Sequence, residues 1–531
     1  MNIFKYYKFH IYSFKNLNIY KKMDSKVEEL PNEIIQKINQ NNQTHLLEAL
    51  KRCKSEEEKR DFISQIKSID FDLMKNLYEQ GKNAKLETIY SPSSISKIES
   101  QYSKESISPE KENLSQIGLE YIAQGKVATL ILSGGLGTRL GFNHPKGEYN
   151  IKMPSNKCLF NYFVNRFLGC QLMCREKLKN KNIQFKDCPL FIMTSSQNDA
   201  DVREFFKQNK NFGVKDENIF FFPQGEICAL DNEGKILLET PNKIFKAPDG
   251  NGGCLLALKK HKIIEECINR GVEYINVMAI DNPLYKLMDP LFIGTTVSKG
   301  KNGKDQMGAK YIKKVDPEQK VGYFLIYNDK PMMLDYMEMP EKLKYAKMEN
   351  GDLVYNAANI LDYLISVSFL KKAMYEEENI KKLLNSFHHI KKKMNCVVFN
   401  KEKKDFEEKT NYEFNKYEMF LNSIFEFSNR DGLILLEIEE MDEFAPVKND
   451  ETKDKCTAAT ARLQMSNLGK KWFKENGGTL LNDSPKKYLE ISFLVSYDGS
   501  DLFNNKDIPK IIDFKDVKEG EGIYIKNKEL E

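Results

Sequence analysis

Short apolar runs alternate with amphipathic stretches along most of the chain after about residue 123. Five apolar runs predict buried strands: Val127–Leu132, Leu190–Thr194, Ile219–Phe222, Tyr274–Ile280 and Val321–Tyr327. Between several of them, apolar residues recur at helical spacing, as in 161–178 and 254–270. This alternation predicts an α/β fold built on a doubly wound, mostly parallel sheet. Such sheets bind ligands beyond the carboxyl ends of their strands.

The residues on either side of this region follow other patterns. Residues 23–122 are mostly helical in pattern and predict a helical N-terminal domain, in which Ser55 and Glu58 form a capping box. Residues 123–416 form the predicted central α/β domain. Residues 417–531 predict a smaller mixed C-terminal domain that contains a strand at 433–438.

Three further stretches lack a clear strand or helix period and are interpreted from their composition. Residues 91–108 are rich in Ser, Pro, Lys and Glu, which is typical of a solvated linker. Residues 375–416 are polar and lysine-rich and indicate an insertion or hinge, with His388-His389 in a helical surface segment. Residues 1–22 are basic and aromatic but lack the unbroken apolar core of a secretory signal, so we predict a disordered extension.

Composition narrows the possible partners. The 531 residues include 81 Lys and Arg against 77 Asp and Glu, and the net charge of +4 does not indicate a nucleic-acid or membrane partner. No apolar run approaches the ~20 residues of a membrane helix. The ten cysteines form no CxxC pair, so we expect reduced thiols and a cytoplasmic protein. We expect small-molecule partners and a monomer or weak oligomer.

A glycine-rich turn is the strongest chemical signal. The run Ser133-Gly134-Gly135-Leu136-Gly137-Thr138-Arg139 follows the first strand directly, and Lys146 comes shortly after it. Glycines let backbone amides form an anion-binding concavity, beside which Arg139 and Lys146 would supply full charges. The run matches neither the P-loop nor the dinucleotide fingerprint, since it is one residue too long for the latter. This mismatch argues against an ATPase and against an NAD-dependent oxidoreductase.

Further residues complete a phosphate site. A second glycine-rich run, 247–253, precedes a predicted helix whose free amides would receive an anion or a hydroxyl, and it contains Asn251. Asp281 follows a strand end and suits Mg²⁺, which shares its shell with phosphate oxygens. Lys448 by itself is indistinguishable from a surface lysine. The absence of a legible Ser-His-Asp or Cys-His arrangement favours direct displacement at phosphorus.

The order of these motifs resembles the eukaryotic UDP-N-acetylglucosamine (UDP-N-acetylhexosamine) pyrophosphorylases, which are UTP-dependent uridylyltransferases. The likeness covers about residues 40–505 and rests on these segments: 132–141, 145–147, 193–195, 223–225, 247–253, 281–282, 335–336, 356–360, 442–449, 460–462 and 490–492. It implies that UTP and N-acetylglucosamine 1-phosphate react with Mg²⁺ to give UDP-N-acetylglucosamine and pyrophosphate. It also implies a central nucleotide-binding sheet between two flanking domains.

The resemblance also implies a role for particular residues. Those implied to bind the nucleotide are Leu132, Ser133, Gly134, Gly135, Gly137, Thr138, Gln224 and Gly250. Those implied to line the sugar are Asn251, Asp335, Tyr336, Asn359 and Phe420. The implied catalytic charges are Arg139, Lys146 and Lys448, and the implied metal ligand is Asp281.

Four positions depart from the family pattern. Leu136, Asp335, Ala358 and Asn422 stand where the family usually has Gln, Glu, Gly and an aromatic residue. These departures concern the choice of sugar rather than uridylyl transfer. The alternatives are therefore a glucose 1-phosphate or broad UDP-sugar pyrophosphorylase and a catalytically silent nucleotide-sugar sensor. The loop 249–253 argues against glucose, because the glucose relatives typically carry a His-containing loop there.

Overall fold

The apolar runs of the sequence lie side by side in one central sheet. Every residue of Val127–Leu132 and of Leu190–Thr194 is buried. This is the pattern of parallel strands that helices cover on both faces. The five strands that the sequence predicts are all confirmed, with bounds that differ by no more than two residues.

The structure is a computed structural model that describes residues 29–83, 90–300 and 306–531. The predicted extension at 1–22 lies outside the described residues. The helices are α1 (Asn32–Gln40), α2 (His45–Leu50), α3 (Glu56–Lys67), α4 (Phe71–Asn83), α5 (Lys104–Ile107), α6 (Lys111–Ala123), α7 (Leu159–Leu178), α8 (Asp199–Gln208), α9 (Gly253–Lys260), α10 (Ile263–Arg270), α11 (Pro290–Lys299), α12 (Glu341–Lys344), α13 (Val367–Tyr375), α14 (Glu377–Leu384), α15 (Glu440–Glu443) and α16 (Ala458–Glu475). The strands are β1 (Ile95–Ser96), β2 (Gln101–Tyr102), β3 (Val127–Leu132), β4 (Leu190–Thr194), β5 (Ile219–Pro223), β6 (Glu226–Cys228), β7 (Leu238–Thr240), β8 (Lys243–Ile244), β9 (Lys246–Pro248), β10 (Tyr274–Ala279), β11 (Met307–Lys313), β12 (Tyr323–Tyr327), β13 (Lys330–Leu334), β14 (Ala357–Ser366), β15 (His388–Asn400), β16 (Asp405–Glu418), β17 (Leu433–Ile438), β18 (Thr479–Leu481), β19 (Tyr488–Ile491), β20 (Ile511–Asp513) and β21 (Gly522–Ile525).

The central sheet has the strand order β2-β17-β11-β14-β10-β3-β4-β5 across the described residues. The strands β10, β3, β4 and β5 run parallel to one another, and so do β11, β17 and β2. Between the two groups, β14 is antiparallel to both β10 and β11. The prediction of a mostly parallel sheet is therefore confirmed, with β14 reversed near the middle of this path. Off the path, β12 pairs antiparallel with β14, β1 and β13.

Successive residues of β3 enter different cores, which confirms the double winding. Val127 and Ile131 belong to one apolar cluster, which also contains Phe163 of α7. Ala128 and Leu130 belong to another, formed with α9, α10 and α13. Because side chains alternate between the faces of a strand, the two clusters lie on opposite faces of the sheet.

Two stretches that the sequence analysis interprets as irregular contain strands. In the supposed linker 91–108, β1 pairs with β12 and β2 pairs with β17 of the central sheet. The lysine-rich stretch 375–416 contains β15, which forms a long antiparallel ribbon with β16. The placement of His388-His389 in a helix is wrong, because both lie in β15. The sequence of this ribbon does not alternate between apolar and polar residues. Cross-strand pairs of opposite charge, such as Lys391 with Glu413 at 2.9 Å, stabilise it instead.

Strand pairing and apolar packing cross the predicted domain limits. β17, from the predicted C-terminal domain, pairs in parallel with β11 of the central sheet. The N-terminal helices pack on β7, β8 and the base of the ribbon through an apolar cluster that includes Phe62, Ile66, Leu238 and Tyr417. The domain limits themselves stay predictions.

A buried ion cluster holds the segment after β17 against the sheet. Lys310 of β11 is fully buried, and its Nζ lies 2.6 Å from Glu443 Oε2 and 2.9 Å from Asp289 Oδ2. Asp362 Oδ2 lies 3.6 Å from the same nitrogen. Burial lowers the pKa of Lys310, but the three carboxylates outweigh this effect and raise it above its usual value. The lysine therefore stays charged at neutral pH.

We expect Lys310→Met to destabilise the fold strongly. The substitution removes the cation from three buried carboxylates, and breaking a buried pair in this way costs about 3–5 kcal/mol of unfolding free energy. Urea denaturation followed by circular dichroism measures the change as a lower transition midpoint.

Lys313→Met is the matched control, since Lys313 lies on the same strand. Its Nζ pairs with Asp352 Oδ2 at 2.8 Å, but the two side chains are 38% and 31% exposed. We expect a loss below about 1 kcal/mol for this pair. Equal midpoints for the two variants would contradict the structural role of Lys310.

Candidate active site

The glycine-rich turn after β3 closes on itself and brings Lys146 back to the strand end. Ser133 N–H donates to the Met193 carbonyl of β4 at 2.8 Å, which ties the start of the turn to the sheet. Lys146 N–H donates to the Gly135 carbonyl at 3.1 Å, and Gly137 N–H donates to the His144 carbonyl at 3.0 Å. The turn is thus a folded loop whose two limbs lie side by side.

Gln224 packs directly on this loop. A Cβ at Gly134 would lie 2.9 Å from Gln224 Nε2, so a larger residue there would displace the Gln224 amide. Gln224 follows β5, and its N–H donates to the Thr194 carbonyl at 2.9 Å. The parallel strands β3, β4 and β5 therefore bring the glycine loop and Gln224, both predicted to bind the nucleotide, to the same sheet edge.

Two lysines flank one carboxylate at the same edge, and the charge of an arginine acts on one of these lysines. The Nζ atoms of Lys146 and Lys448 each lie 3.9 Å from Asp281 Oδ2. Burial lowers the pKa of Lys146, the charge of Asp281 opposes this, and the charges of Lys448 and Arg139 lower it further. The structure thus brings together Arg139, Lys146, Lys448 and Asp281, which lie far apart in the sequence.

The strand register explains this convergence. Leu132 of β3 pairs with Ala279 of β10, so the two strands end at the same level and Asp281 lies beside the glycine loop. Lys448 arrives from a later segment, because Val447 N–H donates to the Asp281 carbonyl at 2.8 Å.

Asn282 anchors that later segment, a role that the sequence analysis does not assign. Its side chain is fully buried. Its Nδ2 donates to the Glu443 carbonyl at 2.7 Å, and its Oδ1 accepts from Ala445 N–H at 2.9 Å. The one sequence signal that could have indicated this role is the position of Asn282, a polar residue next to Asp281 at the end of a buried strand.

The second glycine loop is bonded to the segment that carries Phe420. Met419 N–H donates to the Asp249 carbonyl at 2.7 Å, and Gly252 N–H donates to the Met419 carbonyl at 2.9 Å. The Oδ1 of Asn251 accepts from Leu421 N–H at 3.0 Å. At Gly250, φ is +91° and a Cβ would lie 2.4 Å from the Met419 carbonyl oxygen, so both conformation and space require glycine.

The predicted sugar-binding residues do not all meet. Phe420 has its ring centroid 4.5 Å from that of His388, and the charge of Asp335 acts on the same histidine. Tyr336 packs at the apolar cluster that contains Leu334. Asn359 Oδ1 accepts hydrogen bonds from Tyr363 Oη at 3.0 Å and from Leu361 N–H at 2.9 Å, within its own strand β14. The structure therefore relates Asp335 and Phe420 through His388.

The comparisons with known proteins agree with this geometry. The family model for UTP–glucose-1-phosphate uridylyltransferase matches residues 71–500. The UDP-N-acetylglucosamine pyrophosphorylase of Saccharomyces cerevisiae is 32% identical over 396 residues, which cover 74% of this chain and 79% of that protein. The UDP-N-acetylhexosamine pyrophosphorylase-like protein 1 of Homo sapiens is 32% identical and covers 72% of this chain and 76% of its own length. The chain belongs to the UDP-N-acetylhexosamine pyrophosphorylase family. The resemblance seen in the sequence is confirmed.

Solved structures support the fold of this family member. A putative UDP-N-acetylglucosamine pyrophosphorylase from Entamoeba histolytica has a TM-score of 0.66 and 27% identity, and covers 79% of this chain and 97% of its own. The uridine diphosphate N-acetylglucosamine pyrophosphorylase from Trypanosoma brucei has a TM-score of 0.76 at 24% identity. It covers 94% of this chain and 98% of its own, and supports the fold alone. The ligand roles of individual residues stay predictions.

Asp249 is a buried acid beside the predicted nucleotide contacts. A Cβ at Gly225 would lie 2.2 Å from its Oδ2, and one at Gly253 would lie 1.8 Å from its Oδ1. Within the described residues Oδ1 has no hydrogen-bond partner. Burial raises the pKa of Asp249 to about 7, although its own backbone N–H acts in the opposite direction. A large fraction of this carboxyl is therefore protonated at neutral pH.

We expect Asp249→Asn to change how stability depends on pH. The folded pKa of Asp249 is above the unfolded value of about 3.9, so the folded state binds more protons between pH 4 and 7. Its contribution to stability is therefore present at low pH and is lost as pH rises through this window. Asn does not titrate, so the variant lacks this loss. The melting temperature of the variant minus that of the wild type should therefore rise between pH 5 and pH 8.

Thermal denaturation at pH 5, 6, 7 and 8 measures this difference directly. Other titrating groups affect both proteins equally and cancel in the comparison. A constant offset between the two melting temperatures across this range would contradict the raised pKa of Asp249.

Proposed function

We propose that the protein catalyses the reversible reaction of UTP with N-acetylglucosamine 1-phosphate, giving UDP-N-acetylglucosamine and pyrophosphate. The observation that carries this proposal is the approach of Lys146 and Lys448 to Asp281, with the charge of Arg139 acting on Lys146, next to a glycine loop at the carboxyl edge of the sheet. Cations and backbone amides at one such edge suit a nucleoside triphosphate.

In the proposed reaction a phosphate oxygen of the sugar phosphate attacks the α-phosphorus of UTP in line. A new phosphorus–oxygen bond forms, the bond from the α-phosphorus to its bridging oxygen breaks, and pyrophosphate leaves with that electron pair. Phosphoryl and nucleotidyl chemistry of this kind depends on positioning and on neutralising charge. Lys146, which is largely buried, would hold its charge beside the phosphates, and Lys448 would contact them from the opposite side.

We propose that Asp281 holds Mg²⁺ together with the substrate phosphates. Its side chain is 16% exposed, and the nearest cationic nitrogens are 3.9 Å away, so an oxygen faces the site without a close ion pair. Within the described residues, no group of three or more Asp, Glu, His or Cys side chains is arranged to hold a metal ion. A single carboxylate fits Mg²⁺, which usually binds one or two carboxylates and completes its shell with phosphate and water. Bound Mg²⁺ would neutralise charge on the triphosphate.

The relatives favour N-acetylglucosamine 1-phosphate over glucose 1-phosphate. Those at 31–33% identity carry the N-acetylglucosamine or N-acetylhexosamine name. The solved UDP-glucose pyrophosphorylases are only 15–16% identical. A silent nucleotide sensor is not favoured, since it has no need for two lysines beside an acid that would hold Mg²⁺.

We also propose a cytoplasmic enzyme that is a monomer or weak oligomer. None of the helices in the described ranges combines the length and apolar character that a bilayer crossing needs. The balance of acidic and basic residues and the thiol-rich composition support this proposal.

Pyrophosphate release across a small panel of sugar phosphates tests the function. With UTP we expect rapid release from N-acetylglucosamine 1-phosphate and at least about tenfold lower kcat/KM for glucose 1-phosphate, since a site built to bond an acetamido group rejects the analogue that lacks it. Chelation with EDTA should stop release, and excess Mg²⁺ should restore it. A preference for glucose 1-phosphate would contradict the sugar assignment. Tight UTP binding without release from any sugar phosphate would favour a sensor.

We expect Arg139→Ala to lower kcat by at least about tenfold, the loss for one charge contact of roughly 1.4 kcal/mol in the transition state. Steady-state pyrophosphate release at saturating substrates measures it. Arg203→Ala is the matched control, because Arg203 is surface-exposed on α8 and pairs with Asp199 at 2.7 Å. An unchanged kcat in Arg139→Ala would remove this residue from the mechanism.

A further inference from the structure

His388 lies beside the predicted sugar subsite and has no assigned role. It begins β15, and its ring centroid lies 4.5 Å from that of Phe420 at an interplanar angle of 46°. Phe420 follows Met419, whose backbone is bonded to the loop that carries Gly250 and Asn251. His388 therefore contacts the aromatic ring that is predicted to line the sugar, and the residue before that ring is bonded to the loop that is predicted to bind the sugar.

A second predicted sugar contact acts on the same ring. Partial desolvation by the surrounding protein lowers the pKa of His388, although part of the residue is exposed, and the charges of Asp335 and Glu418 oppose this effect. Glu418 is already paired with Lys416 across the end of β16. Asp335 has one carboxylate oxygen bonded to Met337 N–H at 2.9 Å. A histidine whose ring contacts Phe420 is thus also affected by the charge of Asp335, which comes from a separate part of the chain.

The neighbouring His389 faces the other side of the strand and makes structural contacts there. Its Nε2 lies 2.6 Å from Asn415 Oδ1, and its ring stacks on Tyr417 with centroids 5.7 Å apart. A Cβ at Gly81 of α4 would lie 3.5 Å from the His389 ring, so this residue packs against the N-terminal helices. Because successive side chains of a strand point to opposite faces, His389 packs against the protein while His388 faces solvent.

His388 offers hydrogen-bonding groups that the fold does not use. Its side chain is exposed, and within the described residues no hydrogen bond involves its ring nitrogens. A neutral imidazole carries one N–H donor and one acceptor nitrogen, which matches a hydroxyl group that both donates and accepts. Ligand sites typically combine an aromatic wall with a few such polar groups.

We propose that His388 is a specificity-determining residue that hydrogen-bonds a hydroxyl group of the sugar ring packed on Phe420. This inference rests on the proposed function, since it names one contact of the sugar phosphate in that reaction. It predicts that the nitrogens of His388 act on sugar-phosphate binding, whereas UTP binding depends on other residues.

His388→Phe tests the proposal, because it keeps a planar ring beside Phe420 but removes both nitrogens. We expect the KM for N-acetylglucosamine 1-phosphate to rise about three- to tenfold, the effect of one hydrogen bond, with the KM for UTP unchanged. His388→Asn keeps a donor and an acceptor and should recover part of the loss. Melting temperatures of all variants check that the fold is retained.

His389→Gln is the matched control, since it changes the adjacent histidine and keeps an acceptor or donor for Asn415. We expect both KM values to stay at the wild-type level. An unchanged sugar-phosphate KM in His388→Phe, or an equal rise in the KM for UTP, would overturn the inference. Failure of the wild-type enzyme to release pyrophosphate would instead refute the proposed function, so the two failures are distinguishable.

Discussion

Lys310 is fully buried among Glu443, Asp289 and Asp362, and the geometry of the candidate active site depends on this cluster. Glu443 ends α15, five residues before Lys448. Its carboxylate is held by Lys310 of the central sheet, and its carbonyl is held by Asn282 at the end of β10. A charge buried in this way is costly to leave unpaired, so the segment 443–448 has one strongly favoured position. That position places Lys448 Nζ 3.9 Å from Asp281 Oδ2, the same distance as Lys146 Nζ.

The same sheet edge then assembles the rest of the site. Parallel strands in register end together, so the turns after β3, β5 and β10 project on one side. The close packing of Gly134 on Gln224 and of Gly250 on the Met419 backbone leaves these contacts little freedom. A rigid arrangement of amides and cations of this kind lowers the reorganisation needed when charge develops on a phosphate.

The β15–β16 ribbon links this edge to the N-terminal helices. One of its faces packs on the helices through His389 and Tyr417, and its base presents His388 and Phe420 on the side of the second glycine loop. The ribbon therefore connects a helical region that has no assigned chemistry with the predicted sugar subsite. Charged side chains along its exposed length, such as the cross-strand pair Lys391–Glu413, disfavour pairing with other strand edges.

The sequence by itself determined the five apolar strands and β17, the two glycine loops and the family, because continuous apolar runs and backbone-permissive glycines are local signals. It also determined the position of Asp281 at a strand end. Only the tertiary structure decided which distant residues meet, including the pairing of β17 with β11 and the approach of Lys448 to Asp281. It also decided that His388 lies in a strand beside Phe420, since a polar ribbon has no period that separates it from a helix or a loop. The physical reason is that register, buried ion pairs and cross-strand contacts join residues far apart in the chain, and no local pattern encodes their meeting.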